Sequence, residues 1–163
     1  MQAVTGESDP DTEPVRIDRL LRDELQKARS TYAGACFEVE SELTATTASA
    51  NGMLSSVFRN LLSNAVQHND SGEPCVTVSL DDGGEAVTVT IADNGPGVPD
   101  DQKEEIFGKG EYGLESSGSG IGLYLVYTLV TRFDGDVWVE DDAEVGGAAF
   151  VVELPAAESD SWA

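Results

Sequence analysis

Histidine, cysteine and lysine are scarce in this chain: 163 residues hold one histidine, His68, two cysteines, Cys36 and Cys75, and three lysines, Lys27, Lys103 and Lys109. The cysteines show neither metal-binding spacing nor the density of a disulfide scaffold, and each sits in an apolar candidate strand. Both are expected reduced and buried. Basic residues number nine against 31 acidic ones, a formal net charge of −22. Such a field repels nucleic acid and anionic membrane surfaces, which disfavours both as partners. No uncharged apolar run approaches the length of a membrane span, and no basic-then-apolar N-terminal segment reads as a secretory signal. A cytoplasmic protein without direct membrane contact is the expectation. With 40% hydrophobic residues the chain can still bury a single core. The acids are dispersed rather than confined to a tail. With so little lysine, that pattern reads as adaptation to a high-salt cytoplasm, where screening reduces self-repulsion.

Residues 1–14 are polar and acidic with two prolines, and suggest a disordered leader or linker stub. Asp18 can cap a helix to about Ser30 with Leu20, Leu21, Leu25 and Ala28 on one face, and Cys36 to Glu40 alternates as a half-buried strand does. A polar stretch, Ser41 to Ala50, leads to a helix from about Asn51 or Gly52, in which Val57, Phe58, Leu61, Leu62, Ala65 and Val66 form one apolar arc. Asn60 and Asn64 stack on the edge of that arc, with His68 one turn further on. Two strands follow around the turn Asp81-Asp82-Gly83-Gly84. From Asp93 to Gly120 lies a long glycine-rich connection of the kind that is usually functional or mobile. Leu123, Val126, Tyr127, Val130 and Phe133 then carry helical spacing. Gly135, a strand from Asp136 to Glu140, a Gly146-Gly147 turn and a last strand ending at Pro155 complete the pattern. Residues 15–155 read as one domain and 156–163 as a flexible tail. The order of elements implies a sheet covered on one face by helices.

Three pieces carry chemistry. Asp93-Asn94-Gly95-Pro96-Gly97 ends a strand; its glycines permit close backbone approach and its carboxylate can accept from an exocyclic amine. By itself it is also a good turn sequence. Gly118-Ser119-Gly120-Ile121-Gly122-Leu123 opens a helix, where free N–H groups and the helix dipole favour phosphate. It fits neither the dinucleotide fingerprint nor a Walker loop. The amide oxygens of Asn60 and Asn64 are hard ligands suited to Mg²⁺.

Together, and in this order, the motifs resemble those of the histidine-kinase ATP-binding domain, a member of the GHKL group. Asn60-Leu61-Leu62-Ser63-Asn64-Ala65 is similar to its N box, Asp93 to Gly97 to its G1 box, Glu105-Ile106-Phe107 to its F box and Gly118 to Leu123 to its G2 box. The resemblance covers about Val15 to Pro155. It implies the Bergerat fold, an α/β (two-layer α+β) sandwich whose mixed, mostly antiparallel sheet is covered on one face by three main helices, with ATP held under a mobile lid. It further implies that Asn64 binds Mg²⁺ through the ATP phosphates, that Asn60 lies beside those phosphates and that Asp93 accepts from the adenine amino group. Gly95 and Gly97 would shape the adenine end. Gly118, Gly120 and Gly122 would hinge the lid and hold the phosphates, with Ser119, Ile121 and Leu123 between and beside them also at the ATP site. Phe107 and Lys109 fall at and within the lid, where Lys109 could reach a phosphate.

Two positions depart from the family pattern: Gln67 stands where a basic residue is common, and His68 where an aromatic one is. Losing a charge-assisted phosphate contact costs on the order of 1 kcal/mol. His68 could offset it if protonated, or pack over the base. Relatives that hydrolyse ATP or phosphorylate serine typically carry a glutamate where this chain has Asn60, which cannot accept a proton near neutral pH. The resemblance therefore points to a two-component histidine kinase domain that presents ATP to a histidine on a separate dimerisation and phosphoacceptor domain, in cis or in trans, with a response regulator downstream. No His-Glu-x-x-Pro phosphoacceptor is present among these residues, so no catalytic histidine is assigned. The alternative is a non-catalytic nucleotide-sensing or scaffolding module of the same fold.

Overall fold

Helical apolar spacing and alternating apolar spacing each build the element expected of them. The computed structural model describes residues 12–40, 45–67, 72–95, 119–141 and 147–156. Along the chain these form β1 (Glu13–Arg16), α1 (Ile17–Thr31), β2 (Cys36–Val39), β3 (Thr47–Ala50) and α2 (Leu54–Gln67). Then come β4 (Cys75–Asp82), β5 (Ala86–Asp93), α3 (Ser119–Arg132), β6 (Asp136–Asp141) and β7 (Ala148–Pro155).

Five strands form one sheet in the order β2-β4-β5-β7-β6. The β2–β4 pair is parallel and the other three are antiparallel. Because side chains alternate across a strand, one face gathers Val76 and Val78, Val87, Val89 and Ile91, and Val152 and Leu154, all fully buried. Phe58, Leu61 and Leu62 of α2, and Val126, Val130 and Phe133 around α3, close over that face. Burying each such side chain contributes about 1.5–3 kcal/mol, which fixes α2 against the sheet. The expected two-layer sandwich, a mixed and mostly antiparallel sheet under helices, is what forms.

Several details differ from the sequence-based expectation. Glu13 and Pro14, assigned to a leader by composition, belong to β1, which pairs antiparallel with β3 across Glu13↔Ala50 to Arg16↔Thr47. At the other end Ala156 is bridged to Ala48 and donates from its N–H to the Glu85 carbonyl, so it is part of the fold rather than of a tail. α2 begins at Leu54 because Asn51 forms a turn: its Oδ1 accepts from Met53 N–H at 2.8 Å, and its carbonyl accepts from Leu54 N–H. Asp18 does not cap α1. It is the second residue of the helix, in its first turn and 1% exposed, where it accepts from Arg16, Arg22 and the Thr46 N–H. On α3 Leu129 is buried along with Val126 and Val130, whereas Tyr127, which shares the helical spacing, is 44% exposed. The two cysteines are half-buried rather than buried.

Candidate functional site

The end of β5 carries Asp93, flanked in register by Val76 of β4 and, one residue earlier, by Ala149 of β7. Its carboxylate is only 7% exposed. Two backbone donors orient it: Oδ1 accepts from Gly95 N–H at 2.9 Å and from Ala148 N–H at 3.4 Å. Gly147 makes this packing possible. A Cβ there would run into the Asp93 carbonyl and stand 2.7 Å from Oδ1. The next residue, Asn94, locks the turn: its Oδ1 accepts from Cys75 N–H at 2.9 Å, and its Nδ2 donates to the Glu73 carbonyl at 3.2 Å. Asp93 is thus a buried carboxylate held rigidly at a strand end. A further amine donor brought to it would meet an acceptor that needs no rearrangement.

α2 packs across β4 and β5 and against α3. Its buried residues Val57, Phe58, Leu61, Leu62 and Ala65 face the core, which leaves half-buried Asn60 and Asn64 along one edge. The Asn60 amide donates to the Ser56 carbonyl at 2.8 Å, one turn back. That bond explains how a poor helix former is tolerated mid-helix, and it leaves the oxygen as the hard donor of the group. Asn60 also borders an open groove of about 420 Å³ between α1 and α2, beside Tyr32 and Arg59. α3 spans Ser119–Arg132, so the backbone of Ser119, Gly120, Ile121 and Gly122 forms its first described turn, the helix end at which N–H groups favour phosphate. Leu123 is buried in the core beneath that turn. The donor set fits a nucleotide with a hydrated Mg²⁺: amide oxygens for the metal shell, a helix N-terminus for phosphate and a fixed carboxylate for an amine. Gly97, Phe107, Lys109, Gly118 and His68 lie outside the described residues. Sequence reasoning missed Gly147 and Ala148 as supports of Asp93, because only the β5–β7 register brings them there.

Comparison with known proteins decides the family. Residues 51–158 match the model described as histidine kinase-, DNA gyrase B- and HSP90-like ATPase, about two-thirds of the chain. The chain belongs to this ATPase family. Within it, the chain is 34% identical over 107 residues to the signal transduction histidine-protein kinase BaeS of Escherichia coli, covering 63% of this chain and 22% of BaeS. It is 30% identical over 145 residues to the C4-dicarboxylate transport sensor protein DctB of Rhizobium meliloti, covering 86% of this chain and 23% of DctB. The chain thus spans about a quarter or less of these curated relatives. Among solved structures, the ATP-binding domain of PrrB from Mycobacterium tuberculosis superposes with a TM-score of 0.76 at 25% identity, covering 90% of this chain and 98% of that one. The mycobacterial sensor histidine kinase MprB gives 0.72 at 28% identity, covering 88% and 97%. Full-length ShkA in complex with AMPPNP gives 0.71 at 29% identity, covering 90% and 31%. The ATPase domain described here is therefore of the histidine kinase type, in the Bergerat fold.

Proposed function

We propose that this ATPase domain binds Mg-ATP and presents the γ-phosphate to a histidine on a separate phosphoacceptor domain. The oriented Asp93 carboxylate carries the reading: Gly95 and Ala148 hold it at the strand end, where it would accept from an adenine amino group. Asn64 would hold Mg²⁺ through the phosphates, Asn60 would lie beside them, and the first turn of α3 would receive their charge. Mg²⁺ when bound neutralises the phosphate oxygens; the protein's own part is to position and to exclude water. Asn60 has no proton-accepting group, which favours transfer to an incoming nucleophile over hydrolysis by an activated water. BaeS, DctB and MprB are by name sensor proteins or histidine kinases, and ShkA was solved with AMPPNP. A response regulator would act downstream. The scarcity of lysine and the −22 charge support a high-salt interior as the working environment.

The test mixes the full chain with ATP, Mg²⁺ and a histidine hairpin from the neighbouring coding sequence. Acid-labile, base-stable phosphate on the hairpin is the expected outcome. ATP binding without any phosphohistidine would instead favour a nucleotide-sensing or scaffolding module.

A further inference from the structure

The parallel pairing of β2 and β4 sets Cys36 opposite Cys75 and Glu38 opposite Thr77. Phe37 and Val76 are buried in the core, so by alternation Cys36, Glu38 and Cys75 all stand on the other face of the sheet. Cys36 and Cys75 are free thiols with their sulfurs 2.6 Å apart, and the Glu38 carboxylate lies 3.4 Å from Cys36 Sγ. One ligand atom from each of the three lies within 4.8 Å of the others. The scaffold under them is firm. Cys36 N–H donates to the Pro74 carbonyl at 2.8 Å, and Cys75 N–H is held by Asn94.

We propose that Cys36, Cys75 and Glu38 form a site for a thiophilic divalent cation of the Zn²⁺ class, on the sheet face opposite the helices. Two thiolates and a carboxylate are a borderline-soft donor set, which selects Zn²⁺ over Mg²⁺. Half-burial leaves a fourth tetrahedral position to water. The sulfurs stand 2.6 Å apart, beyond the roughly 2.05 Å of a disulfide bond and short of the separation that two thiolates take on one ion. Two thiolates about 2.3 Å from one tetrahedral ion stand roughly 3.8 Å apart, which rotation about the Cα–Cβ bonds can supply. The surrounding negative charge raises the local concentration of any cation. Cys-x-Glu and a cysteine 39 residues away from Cys36 show no metal spacing in sequence; only the parallel register joins them.

The experiment uses the full chain, reduced and metal-free, titrated with Co²⁺ and then with Zn²⁺ against a chromogenic chelator. One equivalent should bind, Co²⁺ should give a thiolate charge-transfer band that Zn²⁺ removes, and millimolar Mg²⁺ should not compete. Cys36→Ser and Cys75→Ser should each lose the band and at least about 100-fold in affinity; Glu38→Gln, which leaves both thiols, should lose about tenfold. Circular dichroism checks that each variant is folded. The proposal is overturned by any of three results. One is the absence of a saturable band at one equivalent. The second is unchanged affinity in both serine variants, which would assign binding to scattered surface carboxylates. The third is an intramolecular disulfide that re-forms in the presence of Zn²⁺ and leaves no thiol to bind it.

Discussion

Asp18 ties the start of α1 to the strand pair β1–β3, and its removal gives a stability change with a defined pH signature. The carboxylate is 1% exposed and receives Arg16 Nε and Nη2, both at 2.9 Å, Arg22 at 3.4 Å and the Thr46 N–H at 3.1 Å. The Arg16 guanidinium holds its pKa down at about 2, against an ordinary 3.8. A shift of that size is worth at most about 2.4 kcal/mol. Both arginines are partly exposed, Arg16 at 38%, so screening lowers the expectation to about 1–2 kcal/mol. Because the folded pKa is depressed, this contribution is complete above pH 3.8 and is lost as pH falls through about 2. Asp18→Asn keeps the acceptor for Thr46 but discards the charge. Urea unfolding of wild type and variant at low salt should differ by about 1–2 kcal/mol at pH 7, and the two should converge near pH 2. The other acids titrate alike in both proteins, so the difference isolates Asp18. Parallel stability–pH curves with a constant gap would refute the ionic reading of this contact.

Other consequences are equally direct. α3 ends in a Schellman motif, Gly135 N–H to the Val130 carbonyl and Asp134 N–H to the Thr131 carbonyl, with Asp134 at φ +65°. Asp134→Gly relieves that backbone and removes an acid from the negative helix end, and should raise stability by about 1 kcal/mol, or about 2–4 °C in Tm by calorimetry. Gly135→Ala should lower it by about 2–3 kcal/mol, since a Cβ would run into the Glu153 carbonyl and stand 3.0 Å from Leu154 Cδ2. Screening of the −22 charge should let ATP affinity rise from low to molar KCl at fixed excess Mg²⁺, while a steady fall with the protein folded throughout would exclude that role for charge.

The helices were legible because their apolar residues repeat at helical spacing, and β4, β5 and β7 because theirs alternate. What stayed hidden depends on partners distant in sequence. Thr47-Ala48-Ser49-Ala50 is small and polar and has almost no strand signal. It becomes β3 because β1 supplies its hydrogen bonds and Ala48 and Ala50 pack fully buried. Tyr127 and Leu129 fit a helical face about equally well, and only the placement of α3 against α2 and β6 selects Leu129. The ordered motifs pointed to Asp93 and the asparagine pair. The hydrogen bond from Ala148 and the packing of Gly147 depend on strand register, and the convergence of Cys36, Glu38 and Cys75 depends on a parallel pairing that periodicity does not encode.

Mg-ATP titration by calorimetry into wild type and Asp93→Asn is the most direct test of the nucleotide site. The variant keeps an oxygen for Gly95 and Ala148 but loses the charged acceptor. One ATP should bind the wild type, and Asp93→Asn should bind about 10–100-fold more weakly at an unchanged melting temperature. Equal affinity in the two folded proteins would contradict the assignment of Asp93 as the adenine acceptor.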